Sequence, residues 1–314
     1  MRTLTKARVV GGSALVLLTL LIFPNARSLY EGIFFYLRDT LAYNPSAVQA
    51  VNASGRYGSL YELVRLRNVE RRDHILRQLA LPNSRVTPIP IPNSSLPNVF
   101  IRFDSPGPYT IYSAHYDKLF DDPSYQGASD NTAAVSVLLA SATELAKRAY
   151  RGSAAFLFTG EEETGLRGAT AFVEYARANN IAIREIVNFD NIGRGKLAIR
   201  PSVAVPGYAF VIPFFGALTY DGRQFQSSPP YELANPRLTQ ALLRVQPDIV
   251  VYERFTARGD SNVFQKNGID TVALSGDDMR YLELTWHTYA DRVELLDERN
   301  LDRAYNLVMQ YAPW

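Results

Sequence analysis

Residues Phe156 to Gly168 read FLFTGEEETGLRG. The run SAAFLFT, from Ser153 to Thr159, is short and apolar throughout, as expected of a strand covered on both faces inside an α/β sheet. It passes through one glycine into Glu161, Glu162 and Glu163. Adjacent carboxylates repel one another, and none gains by standing at the end of a buried strand unless a cation waits there. The alternative is that they only enrich the first turn of the next helix with negative charge.

The flanking chain decides what kind of sheet this strand joins. NVFIRF (Asn98 to Phe103), YTIYSA (Tyr109 to Ala114), EIVNFD (Glu185 to Asp190) and TVALSG (Thr271 to Gly276) read as further strands. Apolar spacing predicts helices over 58–81, 131–148, 169–178 and 297–311. Strands alternating with helices indicate an α/β fold with a parallel or mixed sheet. The segment PIPIPNSSLPN is read as a proline-broken loop, and His74, in the charged run RRDH, as solvated. Residues 201–255, rich in proline and aromatics, fit the alternation poorly and are read as an insertion over the sheet. Phe214, Phe215 and Phe225 within it could add to the core or wall a pocket for a substrate side chain.

Composition narrows the chemistry. The 314 residues are 47% hydrophobic and 20% charged, enough for a sizeable core. A net charge of +2, with no basic stripe interleaved with aromatics, argues against a nucleic-acid partner. The absence of cysteine excludes disulfides, thiolate catalysis and Cys-ligated zinc. Histidine occurs only at 74, 115 and 287, so a metal site must lean on carboxylates. At the N-terminus the basic leader MRTLTKAR precedes an apolar run from Val9 to Phe23, and Ala26-Arg27-Ser28 offers a small-x-small cleavage site. Residues 1–28 are therefore expected to be a signal peptide or a membrane anchor that engages the export machinery or the bilayer. Residues 29–57 form a connector. The working domain is expected outside the cytoplasm, periplasmic, extracellular or anchored.

Polar groups gather where strands end. YTIYSA runs into His115 and Asp117, FLFTG into the glutamates, and IVNF into Asp190, while Asp130 opens a helix and His287 sits in the late loop TWHTYAD. Ligands in open α/β sheets bind beyond the carboxyl ends of strands. Singly, Asp130 could be only an N-cap, His287 a loop histidine and HYD a polar strand end. Together they point to one site.

The ordered set AHYD, GASDNTAAV, GEEETGLRGA, VNFDNIGRG and WHTYAD closely resembles the co-catalytic zinc exopeptidases. That is the family of bacterial leucyl aminopeptidase, to which glutaminyl cyclase and the transferrin receptor also belong. The resemblance covers 58–314 and implies a single three-layer α/β/α domain around a central mixed, mostly parallel sheet. Carried over position by position, it implies two Zn²⁺ per chain: one on His115 and Asp190, the other on Glu163 and His287, with Asp130 bridging. Two zinc ions bring +4, and Asp130, Glu163, Asp190 and a bridging hydroxide bring −4, a neutral cluster that can be buried. EETGLRG aligns with the family's paired glutamates, so Glu161 is the extra carboxylate and is expected to be solvated. Glu162, left unligated, is expected to act as general base towards water and then to return the proton to the leaving amine. Asp117, two residues after His115 and on the same face of an extended chain, is expected to accept a hydrogen bond from the imidazole and fix its tautomer.

The resemblance implies a metallopeptidase acting on peptides, with aminopeptidase activity as the first reading. Glutaminyl-peptide cyclotransferase, carboxypeptidase and a non-catalytic receptor are the alternatives. In two places the chain departs from the family. RGDSNVF keeps Asp260 but lacks the histidine that follows this aspartate in many members, and ERFTARG carries no tyrosine for an oxyanion.

Overall fold

The computed structural model describes residues 48–200, 202–203, 208–212, 216–220, 225–226, 231–232, 235–252 and 259–313. The expectations for 1–28 and for most of the connector lie outside these residues, as does the ERFTARG stretch up to Arg258. The side chains of the strands between 202 and 232 lie outside them too.

The described residues open with two short helices, α1 (Ser59–Leu63) and α2 (Asn68–Gln78). The strands β1 (Ser84–Ile89), β2 (Asn98–Phe103) and β3 (Tyr109–His115) follow, then α3 (Ala133–Lys147), β4 (Ala154–Thr159), α4 (Arg167–Ala178), β5 (Ile183–Phe189) and β6 (Leu197–Arg200). Five short strands come next: β7 (Ser202–Val203), β8 (Tyr208–Ile212), β9 (Gly216–Tyr220), β10 (Phe225–Gln226) and β11 (Tyr231–Glu232). The chain continues through α5 (Pro236–Val245), β12 (Val250–Val251), α6 (Asp260–Lys266), β13 (Thr271–Gly276), α7 (Met279–Thr285) and α8 (Glu298–Tyr311).

Eight strands make one sheet in the order β1-β2-β4-β3-β5-β13-β6-β12. Its centre, β4-β3-β5-β13, is parallel throughout, whereas β1, β2 and β6 pair antiparallel with their inner neighbours. Side chains alternate between the two faces, as the pleat requires. Val99 and Ile101 of β2, Tyr112 and Ala114 of β3, and Phe156 and Phe158 of β4 pack with Leu138 of α3 and Leu307 of α8. Phe100, Ile111, Ala155 and Leu157 turn the other way, onto Phe172 of α4 and Phe264 of α6. Helices therefore cover both faces, which is the expected three-layer α/β/α arrangement. Each of these large apolar side chains, fully buried, contributes about 1.5–3 kcal/mol relative to exposure.

Several local expectations are corrected. The helix predicted over 58–81 is two helices, and the break is built in: Glu70 of α2 reaches back to accept the Arg67 N–H at 2.8 Å, starting a new helix there. His74 is not solvated but buried, 3.5 Å from Glu62, because it lies on the face of α2 that also buries Arg71 and Ile75. The proline-broken loop is expected two residues too early. Pro88 and Ile89 belong to β1, and a proline is tolerated there because β1 is the sheet's edge. Within 201–255, β7 to β11 form two small sheets of their own, but α5 and β12 belong to the main layer. Leu238 and Leu242, one turn apart on α5, bury into the larger core, and β12 pairs in parallel with β6. Among the described residues no helix is long and apolar enough to cross a membrane.

Candidate metal centre

The strand ends bring the site together. His115 closes β3, Glu161 to Glu163 follow β4, and Asp190 follows β5, so three adjacent parallel strands deliver their polar ends to one edge of the sheet. Asp130 comes from the turn Ala128–Thr132 that leads into α3. That turn requires Gly127, which sits at φ 52° with its missing Cβ position only 2.6 Å from the Asp130 carbonyl oxygen. His287 is supplied by the loop after α7, its ring stacked on Trp286 with centroids 4.2 Å apart.

The five residues form two groups that share Asp130. The Nε2 of His115 lies 3.1 Å from Asp130 Oδ1 and 3.5 Å from Asp190 Oδ1. On the other side, His287 Nε2 lies 3.5 Å from Asp130 Oδ2 and 3.3 Å from Glu163 Oε2. Asp130 thus turns one oxygen to each group. Both sets, His115–Asp130–Asp190 and Asp130–Glu163–His287, hold donor atoms within 4.8 Å of one another. Glu162 lies beside them and forms a third such set with His115 and Glu163.

The electrostatics call for positive charge. Burial lowers the His287 imidazole, yet Asp130 and Glu163 overcome that and push it up to about 10. Burial likewise opposes the charged form of His115, and the surrounding carboxylates, Glu162 foremost, hold it well above the ordinary histidine value. Burial pushes Glu162 well above the usual glutamate range; His115 pulls it down, while Asp260, Asp190 and Glu163 push it further up. Asp260, at the start of α6, is pushed by burial to about 7, although it accepts the Thr159 hydroxyl at 2.5 Å. Glu163 Oε1 and Asp260 Oδ1 are buried without a hydrogen-bond partner. Imidazole nitrogens and carboxylate oxygens in two sets sharing one carboxylate, with Glu163 Oε1 unpartnered, fit a hard-to-borderline cation such as zinc.

Asp117 is in the site, but its contacts differ from those expected. The Nδ1 of His115 meets the main-chain carbonyl of Asp117 at 3.2 Å, whereas the carboxylate stands 3.6 Å away. That carboxylate accepts the backbone N–H of Glu162 at 3.2 Å and of Glu163 at 3.1 Å. The carbonyl is placed to accept from Nδ1, and the carboxylate holds the glutamate loop. Glu161 is also corrected: its side chain is mostly buried and pairs with Arg167 at 3.3 Å. One positioning residue carried no signal in the sequence reading although it closes the WHTYAD motif. Asp291 accepts the N–H of Ser129 and of Asp130, and the hydroxyl of Tyr281.

Residues 98–312 match Peptidase family M28, and the chain belongs to that family. A Pseudomonas aeruginosa protein described as an aminopeptidase is 28% identical over 172 residues, covering 54% of this chain and 28% of that protein. The matched region is thus a little over a quarter of that relative's length. Among solved structures, the Legionella pneumophila LapA aminopeptidase superposes with a TM-score of 0.63 at 14% identity, over 83% of this chain and 69% of that one. A Bacteroides thetaiotaomicron glutaminyl cyclase bound to N-acetylhistamine gives 0.57 at 14% identity, over 84% and 98%. Both are likenesses of fold.

Proposed function

We propose that the protein is a zinc-dependent aminopeptidase, with His115 and Asp190 holding one ion, Glu163 and His287 the other, and Asp130 shared. The observation that carries this reading is the pair of donor sets meeting on opposite oxygens of Asp130, with Glu162 beside them outside the two shared sets. Zinc bound there would supply Lewis acidity towards a scissile carbonyl and would acidify water.

The chain's own residues do the rest. Glu162, half-buried beside the two donor sets and held above the usual carboxylate range by burial, is suited to take a proton from the attacking water. It then returns that proton to the departing amine, so the peptide C–N bond breaks as the new C–O bond forms, with no net change at Glu162. Asp117 holds the backbone of Glu162 and Glu163 in place. His115 keeps Nε2 towards the site because Nδ1 faces the Asp117 carbonyl. Export remains part of the proposal and rests on residues 1–28 of the sequence.

The test is to assay the purified domain with zinc against aminoacyl chromogenic amides, amino-capped peptides and N-terminal glutamine peptides, and to measure zinc per chain. Release from free but not capped termini, with two zinc ions, supports the reading. Cyclisation of N-terminal glutamine with one zinc would instead establish a cyclotransferase.

A further inference from the structure

Of the three consecutive glutamates, the metal donor sets and the base use two. The third, Glu161, has no place in either, and the family motif does not require a carboxylate there. Its surroundings are nevertheless built. Glu161 stands at φ 58°, a left-handed backbone conformation that a residue with a side chain adopts only when its surroundings hold it there. Oε1 accepts the Ser94 hydroxyl, and Oε2 accepts the Thr164 hydroxyl together with Arg167 NH1 at 3.3 Å. Arg167 also donates through NH2 to the carbonyl of Pro92, and the Ser94 hydroxyl accepts the Leu96 N–H at 3.0 Å. The main-chain carbonyl of Glu161 accepts the Arg167 N–H at 3.0 Å.

These bonds tie three pieces of chain through one side chain: the Pro92–Leu96 loop, the turn after β4 and the first residue of α4. The next residue in sequence is Glu162. On its other side the Glu162 backbone is held by the Asp117 carboxylate through N–H, and its carbonyl accepts Gly165 and Leu166 at 3.0 and 2.9 Å. Two clamps therefore flank the base, Asp117 from the segment just after β3 and Glu161 through the Pro92–Leu96 loop.

We propose that Glu161 is a positioning residue that sets the direction of the Glu162 carboxylate by locking the turn that carries it. The inference rests on the reading of Glu162 as general base. It makes Glu161 neither a metal ligand nor a proton carrier: it acts only through the geometry of its neighbour. A misplacement of about 1 Å at a catalytic group can cost roughly 10²-fold in rate, so a loosened turn is readable in turnover.

The experiment compares Glu161→Ala, Glu161→Gly and Glu161→Gln in the zinc-loaded domain, with Glu162→Gln alongside. Alanine removes the clamp and keeps the unfavourable backbone; glycine removes the clamp but accepts a positive φ; glutamine keeps an acceptor for Ser94 and loses the ion pair with Arg167. The expected result is kcat about tenfold or more lower for alanine and glycine, KM within about threefold of wild type, and unchanged zinc content. Glutamine should keep most of the activity. Wild-type kcat in both alanine and glycine variants would overturn the proposal, as would activity lost only in proportion to lost zinc or lost folded protein. Full activity of glycine with loss in alanine would also overturn it, since backbone strain and not the clamp would then be the cause. If Glu162→Gln is itself fully active, the general-base reading has failed, whatever the Glu161 variants do.

Discussion

Asp291 Oδ2 accepts the backbone N–H of Asp130 at 3.0 Å, while Oδ1 accepts the Ser129 N–H at 2.8 Å and the Tyr281 hydroxyl at 2.9 Å. The shared carboxylate of the site is thus held from behind by a second carboxylate 161 residues away in sequence. Asp291→Asn places an amide nitrogen where one of two oxygens must accept a backbone N–H. Changes in residues that orient metal ligands typically cost about 10–100-fold in metal affinity or activity. Zinc affinity by competition with a chelator is expected to fall in that range. Affinity equal to wild type would show that Ser129 and Asp130 are held by the turn alone.

Glu162→Gln is expected to leave zinc content unchanged and to lower turnover by at least ~10²-fold, the lower end of what a general base contributes. Turnover and metal analysis on the same preparation check this, and a loss of zinc would move Glu162 into the ligand set.

Asp117→Asn tests the clamp on the other side of Glu162. One of its oxygens becomes an N–H₂ facing the backbone N–H of Glu162 or Glu163, so one of two hydrogen bonds is lost. The main-chain carbonyl at Nδ1 of His115 is untouched. Turnover is expected to fall about 10–100-fold, with a smaller change in zinc affinity. Equal loss in both would mean that the carboxylate, not the carbonyl, governs His115.

Lys118 offers a pH test away from the ligands. Its Nζ donates to the carbonyls of Asp122 and Tyr125 at 2.9 and 2.7 Å in a buried position, and burial lowers the ammonium to about 7 from 10.5. A group whose folded value is depressed binds fewer protons in the folded state, so stability rises with pH between the two values. Denaturant midpoints of wild type and Lys118→Met at pH 7 and pH 9.5 should show the wild type gaining on the variant as pH rises. A constant gap would mean that Lys118 keeps its proton in the fold.

What the sequence revealed and what it hid follow from range. His115, the three glutamates and Asp190 stood out because an apolar strand that ends in a charge is a local anomaly, whereas the choice of Glu162 and Glu163 over Glu161 came from the family resemblance. That the sheet is covered on both faces was legible from the wholly apolar run at Ser153 to Thr159. The Asp291–Asp130 bond was invisible because nothing local distinguishes an aspartate that accepts distant N–H groups from a solvated one. Likewise His74 looks exposed among charged neighbours, and only the packing of α2 shows that it faces inward. Pro88 concealed β1, since proline speaks against a strand everywhere except at an edge.

The placement of the donors on β3, β4 and β5 bears on how such a chain matures. Ser113 of β3 and Asn188 of β5 lie side by side although 75 residues separate them. Parallel pairing over such a span forms late and slowly, because the loop must close before any contact rewards it. Until then His115 and Asp190 are strangers, and the unfolded chain does not bring the two donor sets together. A cation that fits the finished site therefore favours the native strand order by mass action and gives little to any other arrangement. Metal availability during synthesis would then govern yield as well as activity, with the ion acting as an arbiter of topology.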